Sequence, residues 1–354
     1  MKKLLIILVT IQLVVLIGCS CKIDSETANN INIVNNIDKQ KVDVLVDGKL
    51  FTSYIYDENI SVLKKTVLFP LISANGVAIT RGFPLDPKPK ERTDHPHHIG
   101  AWFNYGDVNG LDYWNNSDAI SEDKKNEMGT IRHEKIIEIN EGNGKGELVV
   151  SANWLKPDGT ILLKEKTNYS FIANNDSRII DRTVTLTAQN EPILFKDNKE
   201  GMVAIRIARQ LEHPSKDPVT LSDAHGKKTD VPVLDNTGVT GHYISSEGIE
   251  GDDVWSTRAR WVSLDGTIEG KDVTVIIFDN PKNVGFPTYW HARGYGLFAA
   301  NPLGQSIFSK GKETLNFELG TGESVTFKYR ILIQNGKLEK DKIEECYNEF
   351  SKSY

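Results

Sequence analysis

The chain reads as an all-β protein, a large antiparallel β-sandwich with one short helix at its C-terminus. Three observations carry this. Apolar residues alternate with polar ones at period two, which puts them on one face of an extended strand. The alternating runs are short, rich in β-branched and aromatic residues, and bounded by Gly, Asn, Asp or Pro. Amphipathic helical stretches are nearly absent before the last residues.

The first run is "KVDVLVDGKLF", where Val42, Val44 and Val46 share a face and Asp47-Gly48 suits a tight hairpin turn. Thr183 to Leu186 alternates, and so do Val203, Ile205 and Ile207. The pattern returns at Val273, Val275 and Ile277, and again at Phe327, Tyr329, Ile331 and Ile333. The end differs. Asp341 and Glu344 form a capping-box signature, and Ile343, Cys346, Tyr347 and Phe350 make one helical stripe expected to pack on a sheet. No internal repeat or linker divides the strands, so residues 41–354 are expected to form one domain.

The N-terminus is an address. Lys2 and Lys3 precede an apolar core, Leu4 to Ile17, that ends in Leu16-Ile17-Gly18-Cys19 like a bacterial lipobox. Residues 1–18 are therefore expected to be a lipoprotein signal peptide, with Cys19 acylated and holding the mature chain to a membrane by lipid alone. Ser20, in place of Asp, points to the outer membrane of the cell envelope. Residues 19–40, including "TANNINIVNNID", are expected to be a flexible tether. No later apolar run approaches the roughly 20 residues of a spanning helix.

Composition narrows the partners. A net charge of −6 without basic blocks argues against nucleic acid. With Cys19 lipidated, Cys21 and Cys346 stand at opposite ends of the chain and give neither a disulfide framework nor a metal knuckle. No cofactor and no metal are expected.

Against this plain background three segments stand out. "RTDHPHHIGAWFNYGDVNGLDYW" (Arg92 to Trp114) holds His95, His97 and His98. In an extended chain His95 and His97 would share a face and His98 would point the other way. Histidine is the side chain best placed to exchange protons near neutral pH. Asp94, Asp107, Asn109 and Trp114 in the same segment offer hydrogen bonds and a stacking face for sugar, although Val-Asn-Gly is also turn chemistry. "ILFKDNKEGMVAIRI" (Ile193 to Ile207) sets Glu200 beside Lys199 at a strand start, which suits a carboxylate of tuned pKa or a solvated turn. "FPTYWHARGYGLFAANPLG" (Phe286 to Gly304) brings His291 and Arg293 together among glycines, a pairing suited to a carboxylate or hydroxyl-rich ligand. Trp255, Arg258 and Trp261 read as core and rim.

These segments, with "LFPLISANGVAITRGFP", resemble a bacterial family of unknown function commonly labelled methane oxygenase, PmoA-like. The resemblance runs from about Leu68 to Gln334, and Ile99 stands where the family usually has arginine. It implies a sandwich similar to galactose mutarotase and related sugar-active supersandwiches. The function expected is acid–base chemistry on a sugar or glycoside by His97 or His98, Glu200 and His291: mutarotation or epimerisation, or glycosidic cleavage by hydrolysis or elimination. Asp94, Asp107, Asn109, Trp114, Lys199 and Arg293 would hold the carbohydrate. The alternatives are a glycan-binding lipoprotein without turnover and a metal-dependent oxygenase using His95, His97 and His291.

Overall fold

The computed structural model describes residues 28–352; the expected signal peptide and the lipidation site at Cys19 lie outside them. Two antiparallel sheets dominate the fold. One has nine strands in the order Tyr289–Arg293, Leu297–Asn301, Gly201–Arg206, Ala101–Tyr105, Val67–Leu68, Lys49–Ile55, Lys41–Val46, Asn30–Asn36 and Gly142–Asn143. The other has eight, in the order His242–Ser245, Trp261–Ile268, Lys271–Asp279, Ser324–Asn335, Ser177–Ala188, Ile161–Ala173, Lys145–Leu155 and Thr130–Asn140.

The alternation seen in the sequence builds the core between them. Val42, Val44, Phe103, Val203 and Ile205 from the first sheet meet Val184, Val275, Phe327 and Ile331 from the second in one buried cluster. The first hairpin turns where Asp47 and Gly48 adopt φ of 48° and 73°, the left-handed pair that a two-residue turn requires. Among the described residues, no helix is long and apolar enough to cross a membrane.

Two expectations need correction. The tether reading of residues 19–40 fails over Asn30–Asn36, which pairs with Lys41–Val46 and buries Ile31 and Ile33. Asn30 and Asn32 take the outward positions on either side of the buried Ile31 and so hide the alternation. Cys346 is disulfide-bonded, where no disulfide framework was expected. The other two cysteines, Cys19 and Cys21, lie outside the described residues.

The C-terminal helix, Lys340–Lys352, buries the predicted stripe. Ile343, Cys346, Tyr347 and Phe350 pack on Ile179, Trp261, Ile276, Phe278 and Leu332, the outer face of the eight-stranded sheet. Glu344 does not serve as a capping-box acceptor. Its carboxylate takes hydrogen bonds from Arg260 (3.1 and 3.2 Å) and from Trp261 Nε1 (3.2 Å). A charged donor is the stronger partner.

The nine-stranded sheet is also covered outside its core. Trp102, Ala204, Leu297 and Ala299 on its outer face pack with Val62, Leu63, Ile99 and Trp114. Ala101–Tyr105 and Gly201–Arg206 are consequently buried at every position. The unusual segments meet on this outer face.

Candidate acid–base site

Strand register places the floor of the site. Trp102 pairs with Ala204, Ala204 with Ala299, and Ala299 with His291, so these four side chains form one row across four strands. In the neighbouring row Arg206 pairs with Leu297, and Leu297 with Arg293.

The histidine segment crosses this floor as a turn. His95 has φ of 44° and accepts a hydrogen bond from the His98 amide at 3.0 Å. The extended-chain expectation therefore fails. His95 and His98 end on the same side, with rings stacked 4.8 Å apart and 5° from parallel. Two buried cations hold the turn by binding its carbonyls. Arg81 donates to the carbonyls of Arg92, Asp94, His95 and His98 at 2.8–3.1 Å, and Lys65 donates to that of His97 at 2.7 Å. A turn that has left the sheet needs such partners for its buried carbonyls.

Asp94 is the electrostatic anchor. Its Oδ1 receives Arg81 at 3.0 Å and Arg206 at 2.7 Å, while Oδ2 lies 2.9 Å from His95 Nδ1. Burial acting alone would raise this carboxyl, but Arg206, His95 and Arg81 hold it well below the usual carboxylate range. Asp94 thus orients the histidine segment. His95 lies against Asp94 through Nδ1, and its side chain is 40% exposed.

The three histidines have different environments. His98 is sealed beneath Trp102 and accepts a hydrogen bond from Trp114 Nε1 at 3.1 Å. His97 is buried, its Nε2 has no partner, and burial with Lys65 and His95 nearby drives its pKa down to about 2. His95 is half-exposed and stacks on Tyr295 at 5.4 Å. His97 and His98, expected to act on the sugar, are buried, and His95 is the exposed member of the run.

Glu200 and His291 do come together. His291 Nδ1 lies 3.0 Å from the Lys199 carbonyl and 3.7 Å from Glu200 Oε2. A carbonyl can only accept, so Nδ1 carries the proton and Nε2 keeps its lone pair. Burial, with Arg293 and Lys199 nearby, pushes His291 down to about 3. It is neutral, and its approach to Glu200 is a juxtaposition without an ion pair. Glu200 is 16% exposed; burial raises its carboxyl, and Lys199, with Nζ at 3.3 Å, partly offsets the rise. Its backbone fits because residue 106 is glycine: a Cβ there would come within 2.8 Å of the Glu200 Cβ.

Other predicted site residues lie elsewhere. Trp114 is fully buried and cannot present a stacking face to a ligand. Asp107 accepts the Gly110 amide at 3.0 Å, and Asn109 binds the Leu194 amide and the Pro192 carbonyl. Both hold the turn through these bonds. Asp197, beside Glu200 in sequence, is a brace that accepts the amides of Ser306, Leu315 and Asn316.

The aromatic surface instead comes from Tyr295 and Trp255, both half-buried. Tyr295 stacks on His95 at 5.4 Å, and Arg293 lies over the rings of Trp255 (5.1 Å) and Tyr295 (5.7 Å). Beside them opens a pocket of about 480 Å³. Among the described residues, no three His, Cys, Asp or Glu side chains are grouped so as to hold a metal ion, so the His95, His97 and His291 set is not assembled as ligands.

A family model described as a family of unknown function, DUF6807, matches residues 41–348. The chain belongs to this family. No curated protein matches it in sequence. Among solved structures it is similar to the GH36 α-galactosidase AgaB from Geobacillus stearothermophilus, at 12% identity and a TM-score of 0.40, over 86% of this chain and 41% of that one. It is also similar to a galactose mutarotase-like protein from Clostridium acetobutylicum, at 11% identity and a TM-score of 0.35, over 86% and 98%. A putative aldose 1-epimerase from Escherichia coli K12 matches at 11% identity and a TM-score of 0.31, over 87% and 99%. The DUF6807 chain spans about two fifths of the length of the α-galactosidases it matches.

Proposed function

We propose that this DUF6807 protein is a carbohydrate-active enzyme that moves protons on a sugar between Glu200 and His291. The observation that carries the proposal is the fixed tautomer of His291, whose Nδ1 is committed to the Lys199 carbonyl beside a carboxyl raised by burial. A neutral imidazole can accept a proton at Nε2, and burial shifts the Glu200 carboxyl toward its protonated, proton-donating form. His95, oriented by Asp94 and stacked on Tyr295, completes the wall.

The chemistry that suits one acid and one base is ring opening. His291 Nε2 takes the proton of the anomeric hydroxyl, Glu200 gives a proton to the ring oxygen, and the bond between that oxygen and the anomeric carbon breaks to leave a carbonyl. Reversal on either face of the carbonyl interconverts the anomers. Ordinary glycoside hydrolysis fits less well, because it uses two carboxyl groups. Asp94 is held by Arg81 and Arg206, and Asp112 is occupied by the amides of Trp114 and Asn115. Glu200 remains. We place the enzyme at the cell envelope, anchored through lipid on Cys19, as the lipobox implies.

The test is proton NMR of single anomers of a panel of aldoses, freshly dissolved with the protein. Wild type should speed equilibration of at least one sugar, and Glu200→Gln and His291→Asn should abolish that effect. Binding without acceleration would identify a glycan-binding protein, and the enzyme proposal would fall.

A further inference from the structure

The pocket beside the acid–base pair has a chemistry of its own. It is walled by Arg92, His213, Lys216, Trp255, Arg293 and Tyr295, and Asp217 and Asp252 also line it. At about 480 Å³ it lies within the roughly 300–1,000 Å³ of small-ligand sites.

Its cations are unequally satisfied. Arg92 gives Nε to Glu212 at 2.6 Å, and its terminal nitrogens have no protein partner among the described residues. Arg293 has no carboxylate or carbonyl partner among them at all; the rings of Trp255 and Tyr295 hold its guanidinium. Two further polar atoms are buried without a partner, His213 Nε2 and Trp255 Nε1. On the acidic side, Asp252 Oδ1 lies 3.1 Å from His213 Nδ1. Gly294 permits that closure, since a Cβ there would come within 2.7 Å of the same oxygen.

A guanidinium fixed between two aromatic rings with its donors free is preorganised for a planar, two-oxygen anion. The adjoining rings suit the apolar face of a sugar. We infer that this pocket is a subsite for a uronic acid residue, with the sugar carboxylate on Arg293 and its ring against Tyr295 and Trp255. The inference rests on the carbohydrate function proposed above and narrows its substrate to acidic sugars. Position supports it, because Tyr295 belongs both to this pocket and to the stack on His95.

Calorimetry with matched methyl glycosides tests the inference: glucuronate against glucose, galacturonate against galactose, and mannuronate against mannose. The acidic member of at least one pair should bind about ten- to a hundredfold tighter, the scale of a charge-assisted pair of hydrogen bonds. Arg293→Gln should erase that preference. Arg293→Lys, which keeps the charge and loses the fork, should retain only part of it. Equal binding of acidic and neutral members, unchanged by Arg293→Gln, would overturn the acidic-sugar inference and leave the sugar enzyme standing. Failure of every sugar to bind wild type would overturn both.

Discussion

His291 Nδ1 lies 3.0 Å from the Lys199 carbonyl and 3.7 Å from Glu200 Oε2, so one backbone oxygen fixes the tautomer of an imidazole beside a half-buried carboxyl. Chain order alone does not produce this pairing. The strand Tyr289–Arg293 stands at the edge of the nine-stranded sheet, and the turn before Gly201–Arg206 reaches it across Leu297–Asn301.

The first prediction separates chemistry from fold. His291→Asn retains a donor for the Lys199 carbonyl and deletes Nε2, and Glu200→Gln removes the exchangeable proton. Each should lower turnover by about 10²–10⁴, the usual scale for losing a general acid or base. Thermal midpoints should stay close to wild type. Activity surviving His291→Asn would remove His291 from the mechanism.

The second prediction concerns pH. Glu200 acts as the acid and its carboxyl is raised by burial, so turnover should fall as pH rises through its folded value. Lys199 lowers that value. Lys199→Met should therefore move the alkaline limb of the pH–rate profile to higher pH. A limb that stays in place or moves down would assign it to another group.

Much of this architecture was legible in the sequence. The alternating valines and isoleucines, the Asp47-Gly48 turn and the helical stripe ending at Phe350 all depend on neighbours close in the chain. Glu200, Lys199 and His291, which the structure brings together, also stood out in the sequence, because charged and imidazole side chains interrupt plain strand. The histidine run was not. Its turn is imposed by Arg81 and Lys65, which are distant enough in sequence that no local pattern announces them. Trp114, read as a stacking face, is sealed, and Trp255, read as core and rim, is half-open, for a related reason. Whether a tryptophan is sealed or half-open depends on what packs over it, and composition does not record that.

The third prediction tests the anchor. Asp94 neutralises two guanidinium groups whose side chains have no exposure, while 37% of its own side chain is exposed. Asp94→Asn should cost on the order of 2 kcal/mol, less than the 3–5 of a fully buried pair because part of the carboxylate is solvated. The pH dependence has a definite sign. The folded carboxyl lies below its unfolded value, so its stabilisation is present above about pH 4 and is lost as pH falls through the folded value. Melting curves should show wild type and Asp94→Asn converging in acid. A constant gap down to the lowest pH would contradict this role.

The fourth prediction tests the tether. Cys19→Ala should release the protein from the membrane fraction with its activity intact, since lipid is the proposed anchor. Continued sedimentation with membranes would require a second attachment.

The location of the site is the central claim, and a crystal structure tests it most directly: Glu200→Gln with the aldose that wild type equilibrates fastest. The anomeric oxygen should lie within about 3.2 Å of His291 Nε2, with the sugar against Tyr295. A sugar seated away from His291, such as in the pocket lined by Thr240, His242 and Lys337, would contradict the account.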